Sequence, residues 1–236
     1  YEAHSMEHGD HVALNYDLDA PLVECTSIED WKEKAKGHKV FVTPHHMGYQ
    51  GGYRGYNWKC FTEGDITPFV EMYSRHGLAE SDQGDYPYLH DMGPRQWEGT
   101  IQYGLELGNK FGIMASTDQH SGYPGSYGDG RIGVLAPSLT RDAIWEALRT
   151  RHVCAATGDK IIIDFRLNDA LMGDVVRGNS RRIYLNVTGE SCIDYVDIVK
   201  NGQILARMSG PLTPVAPEGD TVHCKVKVDF GWNREE

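Results

Sequence analysis

The stretch "STDQHSGYPG" places Asp118 and His120 two residues apart, directly after the apolar run "FGIMA". Residues i and i+2 leave a strand on the same face, so this carboxylate and imidazole emerge together at a strand end. Such a pair suits Zn²⁺, Mn²⁺ or Fe²⁺. Similar groups recur where other strands should stop or start: Glu2 near the beginning of the chain, His11 opening "HVALNY", His45 and His46 after "KVFVTP", and Glu71 within "PFVEMYS". A cation held by such residues lowers the pKa of a water to about 7 and supplies a nucleophile at neutral pH.

Each feature has an ordinary alternative. A lone D-x-H is a weak signal, because loop aspartates commonly hydrogen-bond nearby backbone N–H groups. His45 and His46 could form a polar strand terminus, and His4, His8 and His90 read as surface histidines, with His8 an alternative to His11. Glu71 is harder to set aside: a carboxylate in an apolar strand has to be paired or to face a cation. The recurrence of these groups at strand ends carries more weight than any single one.

Two further stretches bear on chemistry. "GYQGGYRGYNW" (48–58) is glycine-rich but lacks a GK[ST] ending and precedes no helix, so it does not read as a phosphate cradle. It reads either as a solvated loop or as a loop over the mouth of the site, with Arg54 as an anion clamp. His76 in "SRHGLAE" lies just past Glu71, in reach of a substrate or of a ligand residue. Ser-His-Asp nucleophilic catalysis has little support, since no G-x-S-x-G occurs and no serine sits in an elbow-like context.

The elements that must position these groups alternate over the first two-thirds of the chain. Strands are expected at 11–16, 39–43, 68–74, 111–116 and 131–137, with Pro44 ending the second. "SIEDWKEKAKG" reads as a helix capped by Ser27 and stopped by Gly37; 94–110 reads as another. "LTRDAIWEALRTRH" is the clearest helix, capped by Thr140, with Ile144, Trp145 and Leu148 as its apolar stripe. This order predicts parallel strands with crossover helices, as in a TIM-like barrel or a related open sheet. Near 155–160 the pattern turns all-β. "IIIDFRL", "RRIYLNVTG", "YVDIVKNGQILARM" and "VHCKVKVDF" suggest a small sandwich-like module, with Asn201-Gly202 as a hairpin turn. The expected division is 1–158 and 159–236.

Bulk properties narrow the partners. The chain has 236 residues and a net charge of −11, which argues against a nucleic-acid groove or an anionic membrane. No apolar run approaches the roughly 20 residues of a bilayer span, and no signal-peptide pattern is present. Five widely spaced cysteines without a CxxC argue against a disulfide framework or a zinc knuckle. They favour a reducing, cytoplasmic setting, with a periplasmic one left open. Eleven histidines, most in the first 120 residues, complete the picture of a ligand-rich first part.

"TPHHMGYQGGYRGYNW", "VEMYSRHGLAE", "MASTDQHSGYPG", "LTRDAIWEALRTRHVCAATGDKI" and "MGD" (172–174) occur in the order seen in the DUF3604 family. That family belongs to the PHP (polymerase and histidinol phosphatase) superfamily of metal-dependent phosphoesterases. The resemblance covers about residues 1–175. It implies a distorted (β/α)7 barrel, of which this chain would hold the C-terminal portion, with two or three divalent metals, Zn, Mn or Fe, at the strand ends. Glu2 resembles the superfamily's bridging glutamate, His11 the histidine a short loop later, and His45 that of the "HP" strand end, with His46 as runner-up. Asp118 and His120 match the closing D-x-H. Glu71 matches an active-site acid that holds a ligand in place rather than binding metal itself.

PHP domains open with an H-x-H and an Asp-His pair upstream of that glutamate, and this chain starts at the glutamate. The resemblance therefore implies that an upstream segment or a second chain completes the site. The expected function is hydrolysis of a small anionic substrate, a phosphoester, with Glu2, His11, His45, Asp118 and His120 as metal ligands. Asp118, Glu71 and His76 would be catalytic, and Arg54 and His46 substrate-binding. The rival expectations are a scaffold or binding protein with a structural metal, and a hydrolase acting on a non-phosphate bond.

Overall fold

Ser27 accepts a hydrogen bond from the Asp30 N–H and opens helix α1 (Ile28–Lys34), the first of three short α-helices among the described residues of the computed structural model. The structure describes residues 1–209 except 5–6, 53, 62, 65, 83–92 and 124–129. The expected strand "VHCKVKVDF", with Cys224, and also Tyr53 and His90, lie outside the described residues. The apolar side of α1 drives Ile28 and Trp31 into a cluster with Ala13 and Val42. Those partners come from β2 (His11–Asn15) and β3 (Val40–Pro44), which pair antiparallel, with β1 (Glu2–Ala3) added along the far edge of β2.

The second sheet contains β4 (Phe69–Ser74), β5 (Gly77–Leu78) and β6 (Gly112–Ala115). β5 turns back antiparallel on β4, while β6 runs parallel to it. The parallel pair needs a crossover, which the chain supplies with a 3-10 turn (Trp97–Gly99) and α2 (Ile101–Glu106). Thr100 caps α2 by accepting from the Tyr103 N–H. The expected helix over 94–110 is thus reduced to its middle. Met47, Tyr49, Tyr56, Trp58, Val70 and Ile101 form the core beneath it.

β7 (Arg131–Val134) and β8 (Val153–Ala156) form an antiparallel pair on either side of α3 (Arg141–Arg149). Thr140 caps α3 as expected. Trp145 stacks on Phe41 at 3.9 Å, and Phe41, Phe69 and Val153 make the third core cluster. This packing ties the ends of β3, β4 and β8 together.

The rest is β9 (Ile162–Leu167), β10 (Ala170–Leu171) and β11 (Ile183–Thr188) in one antiparallel sheet, and β12 (Val196–Lys200) with β13 (Gln203–Met208) as a hairpin. The expected turn joins that hairpin, with Asn201 and Gly202 at φ 53° and 70°.

The expected (β/α)7 TIM-like barrel is not found. Among the described residues the strands form five small sheets, no barrel closes, and β4 with β6 is the one parallel pair. The physical reason lies in the connections. A parallel strand needs a crossover of a dozen or more residues, usually a helix, that returns it in the same direction. Here α1 and α3 each lie between strands that pair antiparallel, β2 with β3 and β7 with β8. Alternation of strand and helix in sequence does not distinguish these two outcomes. Among the described residues of the expected sandwich-like module the strands form two small sheets, and β13 is exposed at every position. No helix of the described residues is long and apolar enough to cross a membrane.

Candidate metal centre

Six described segments deliver titratable groups to one region. β1 brings Glu2. The turn after it brings His4 and Asp10, and Gly9 makes that turn at φ 83°, with a Cβ there meeting the Gly55 carbonyl at 2.7 Å. The Asp10 N–H donates to the Arg54 carbonyl at 3.1 Å, and its own carbonyl accepts from the His45 N–H at 2.9 Å. Asp10 thereby locks the 48–56 loop to the end of β3. His45 and His46 follow Pro44, and His46 adopts a left-handed backbone (φ 51°) that brings the two rings to 3.7 Å. β4 contributes Glu71, its turn to β5 His76, and the segment after β6 Asp118 and His120. Asp118 is also left-handed (φ 47°). Such backbone in non-glycine residues is sparsely populated and clusters at functional sites.

Among the described residues three donor groups result, each with its ligand atoms within 4.8 Å of one another: Glu2, His45 and His46; His76, Asp118 and His120; and Glu2, His4 and Asp10. They adjoin. His45 Nε2 lies 3.4 Å from Asp118 Oδ2, which is 3.0 Å from His76 Nε2, and Asp118 Oδ1 is 3.4 Å from His120 Nε2. On the other side His46 Nε2 is 3.8 Å from Glu2 Oε1 and 3.9 Å from Asp10 Oδ2, and His4 Nδ1 is 3.0 Å from Asp10 Oδ1. Donors bound tetrahedrally at about 2.0–2.2 Å stand roughly 3.3–3.6 Å apart, so the 3.4 Å pairs fit a shared cation, and the 3.0, 3.8 and 3.9 Å pairs lie within a few tenths of an ångström of it. Asp10 Oδ1 and Oδ2, His46 Nδ1 and Asp118 Oδ2 are sealed from solvent without a well-aligned hydrogen bond. Buried polar atoms are rarely left so, and each calls for an explanation; a metal ligand has this character.

The electrostatics agree with a site that concentrates charge. Burial opposes protonation of His45, but the Glu71 charge and the Asp118 contact overcome it and push the imidazole up to about 10. Burial and the charge on His45 push His46 down to about 3. Burial would raise Asp118, yet His45, with His46 and His76, holds it down to about 2. Asp10, 0% exposed, is raised by burial, with His4 and Arg54 pulling against that rise. Both oxygens of Glu71 are engaged: Oε1 accepts from His45 Nδ1 and Oε2 from the Ser116 hydroxyl, each at 2.6 Å.

Of the residues named from sequence, Glu2, His45, Asp118 and His120 stand among the donors, and His46 and His76, expected near substrate, stand among them too. Arg54 lies 3.8 Å from Asp10 at the mouth. His11 is not brought into the three groups. Its Nδ1 bonds the Gly9 carbonyl at 3.0 Å, its ring packs on Trp31 and Tyr56, and burial pushes it down to about 4. Sequence reasoning passed over Asp10 and Ser116; His4 is exposed, as expected, and still stands 3.0 Å from Asp10. The available signal for Asp10 was its position after a glycine turn at the mouth of a strand.

The comparisons leave the family open. The chain is 28% identical over 153 residues to an uncharacterized protein of Chlamydia pneumoniae, covering 58% of this chain and 25% of that protein. A second, from Chlamydia trachomatis, is 27% identical over 169 residues, covering 64% and 27%. A third, from Chlamydia muridarum, is 28% identical over 154 residues, covering 58% and 25%. The chain thus spans about a quarter of the length of the curated relatives it matches. No protein-family model and no solved structure matches it.

Proposed function

We propose that this chain carries the metal-binding site of a hydrolase of phosphoesters, the activity that the DUF3604 and PHP resemblance implies. The observation that carries the reading is the junction of two donor groups through the 3.4 Å contact of His45 with Asp118, where buried Asp10, His45, His46 and His76 meet the exposed Glu2, His4 and His120. Divalent cations bound there supply an activated water and neutralise charge developing on the substrate oxygens. Glu2, Asp10, His4 and His46 form one side of the site, and His76, Asp118 and His120 the other.

Asp118, held near 2, is ionised throughout the working pH range, which suits a ligand better than a proton acceptor. Arg54 sits about one-third exposed beside Asp10, where its fixed charge favours an anionic group at the mouth. His120, with a side chain 67% exposed, is the donor most open to incoming substrate.

The test is hydrolysis of p-nitrophenyl phosphate and bis-p-nitrophenyl phosphate with added Mn²⁺ or Zn²⁺. Asp118→Ala should abolish the metal-dependent rate; a variant that keeps it would sink the assignment.

A further inference from the structure

We propose that Ser116 is a positioning residue, which acts through Glu71 to hold the His45 ring with Nε2 facing the cleft as a metal donor. The inference rests on the metal-site reading above and extends it to a residue outside every donor group. Three strand segments meet in this chain. The Ser116 hydroxyl, just beyond β6, donates to Glu71 Oε2; Glu71, on β4, accepts at Oε1 from His45 Nδ1; His45 follows β3.

A carboxylate anchored at one oxygen alone can rotate and release its partner. Here the second oxygen is tied as well, and the side chain is buried at 4% exposure. The register of β4 against β6 slips between Glu71 and Tyr73, a local irregularity of the kind that re-aims a side chain. An Nδ1–H committed to a carboxylate leaves Nε2 as the ring atom that can give up its proton to a cation, and that atom lies 3.4 Å from Asp118 Oδ2. Removing the serine hydroxyl frees one end of Glu71 and thereby loosens the orientation of His45, without touching any donor atom.

The experiment is a competition titration of the purified chain with Zn²⁺ against a chromophoric chelator, paired with the visible spectrum of the Co²⁺ form. Ser116→Ala should weaken Zn²⁺ binding by about tenfold and Glu71→Gln by up to about a hundredfold, the range for groups that orient a metal-bound histidine. Ser116→Thr, which keeps the hydroxyl, should restore the affinity and the Co²⁺ spectrum. A merely structural role would lower the thermal midpoint of Ser116→Ala and leave its Zn²⁺ affinity at the wild-type value, and that result would overturn the proposal. So would a Ser116→Thr chain that binds as weakly as Ser116→Ala. A wild-type chain that takes up no Zn²⁺ would instead overturn the metal reading, and this inference with it.

Discussion

Replacing Asp10 with asparagine should strengthen the metal-free fold and weaken metal binding, two effects of opposite sign from one atom change. Asp10 is fully buried, and neither carboxylate oxygen has a well-aligned hydrogen bond, although His4, Arg54 and His46 stand 3.0, 3.8 and 3.9 Å away. Burial raises its carboxyl above the ordinary value despite the pull of His4 and Arg54, so at neutral pH the ionised form is less welcome in the fold than in the unfolded chain. A raised folded pKa gives stability that is present below the unfolded value and lost as pH rises through the folded one. The amide removes that loss. The gain expected is on the order of 1 kcal/mol, because each pH unit by which burial raises a carboxyl is worth about 1.4 kcal/mol and the amide remains a buried polar group. In a chain of this size each kcal/mol moves the thermal midpoint by about 2–4 °C. The assay is thermal unfolding of both proteins in EDTA and in excess Zn²⁺. The variant should melt higher in EDTA, gain less from Zn²⁺ than the wild type, and lose its advantage as the pH falls towards 4. If Asp10→Asn lowered the midpoint equally in both buffers, Asp10 would be an ordinary structural acceptor and the reasoning would be refuted.

Two further predictions concern the frame. Trp145→Ala removes the ring stacked on Phe41 and should cost near the lower end of about 3–5 kcal/mol, because Trp145 is only partly buried; the urea midpoint reads it, and Zn²⁺ affinity should not change. His11 is held neutral by burial, with its pKa lowered to about 4, so the stability it contributes is present above pH 6.5 and lost as the pH falls from 6.5 to 4. Over that window the metal-free wild type should lose at most about 1.4 kcal/mol per pH unit from this group, and His11→Phe, which keeps the contacts with Trp31 and Tyr56, should flatten that part of the curve.

Local structure was legible wherever a short-range rule governs it. Ser27 and Thr140 cap the helices they were expected to cap, and Asn201-Gly202 turns the expected hairpin, because each depends on neighbours in sequence. Strand direction was not legible. β2 and β3 are joined through a helix and still pair antiparallel, and nothing in "HVALNY" or "KVFVT" encodes which way the partner runs. The helix expected over 94–110 shrank because Gly99, Gly104 and Gly108 weaken it and Thr100 starts a fresh cap in its middle. At the site, residues at strand ends were recognisable by type. Asp10 and Ser116 were not, since their roles come from contacts with His4, His46 and Glu71 that are distant in sequence or made across a turn. His11 shows the converse: a plausible ligand type whose strand position turns it onto Trp31 and Tyr56.

Metal content is the most direct test of the central claim. The purified chain, dialysed against limiting Zn²⁺ or Mn²⁺ and analysed by inductively coupled plasma mass spectrometry, should retain two or more equivalents, and Asp118→Ala should lose at least one. A wild-type chain that retains no metal above the dialysis buffer would contradict the account.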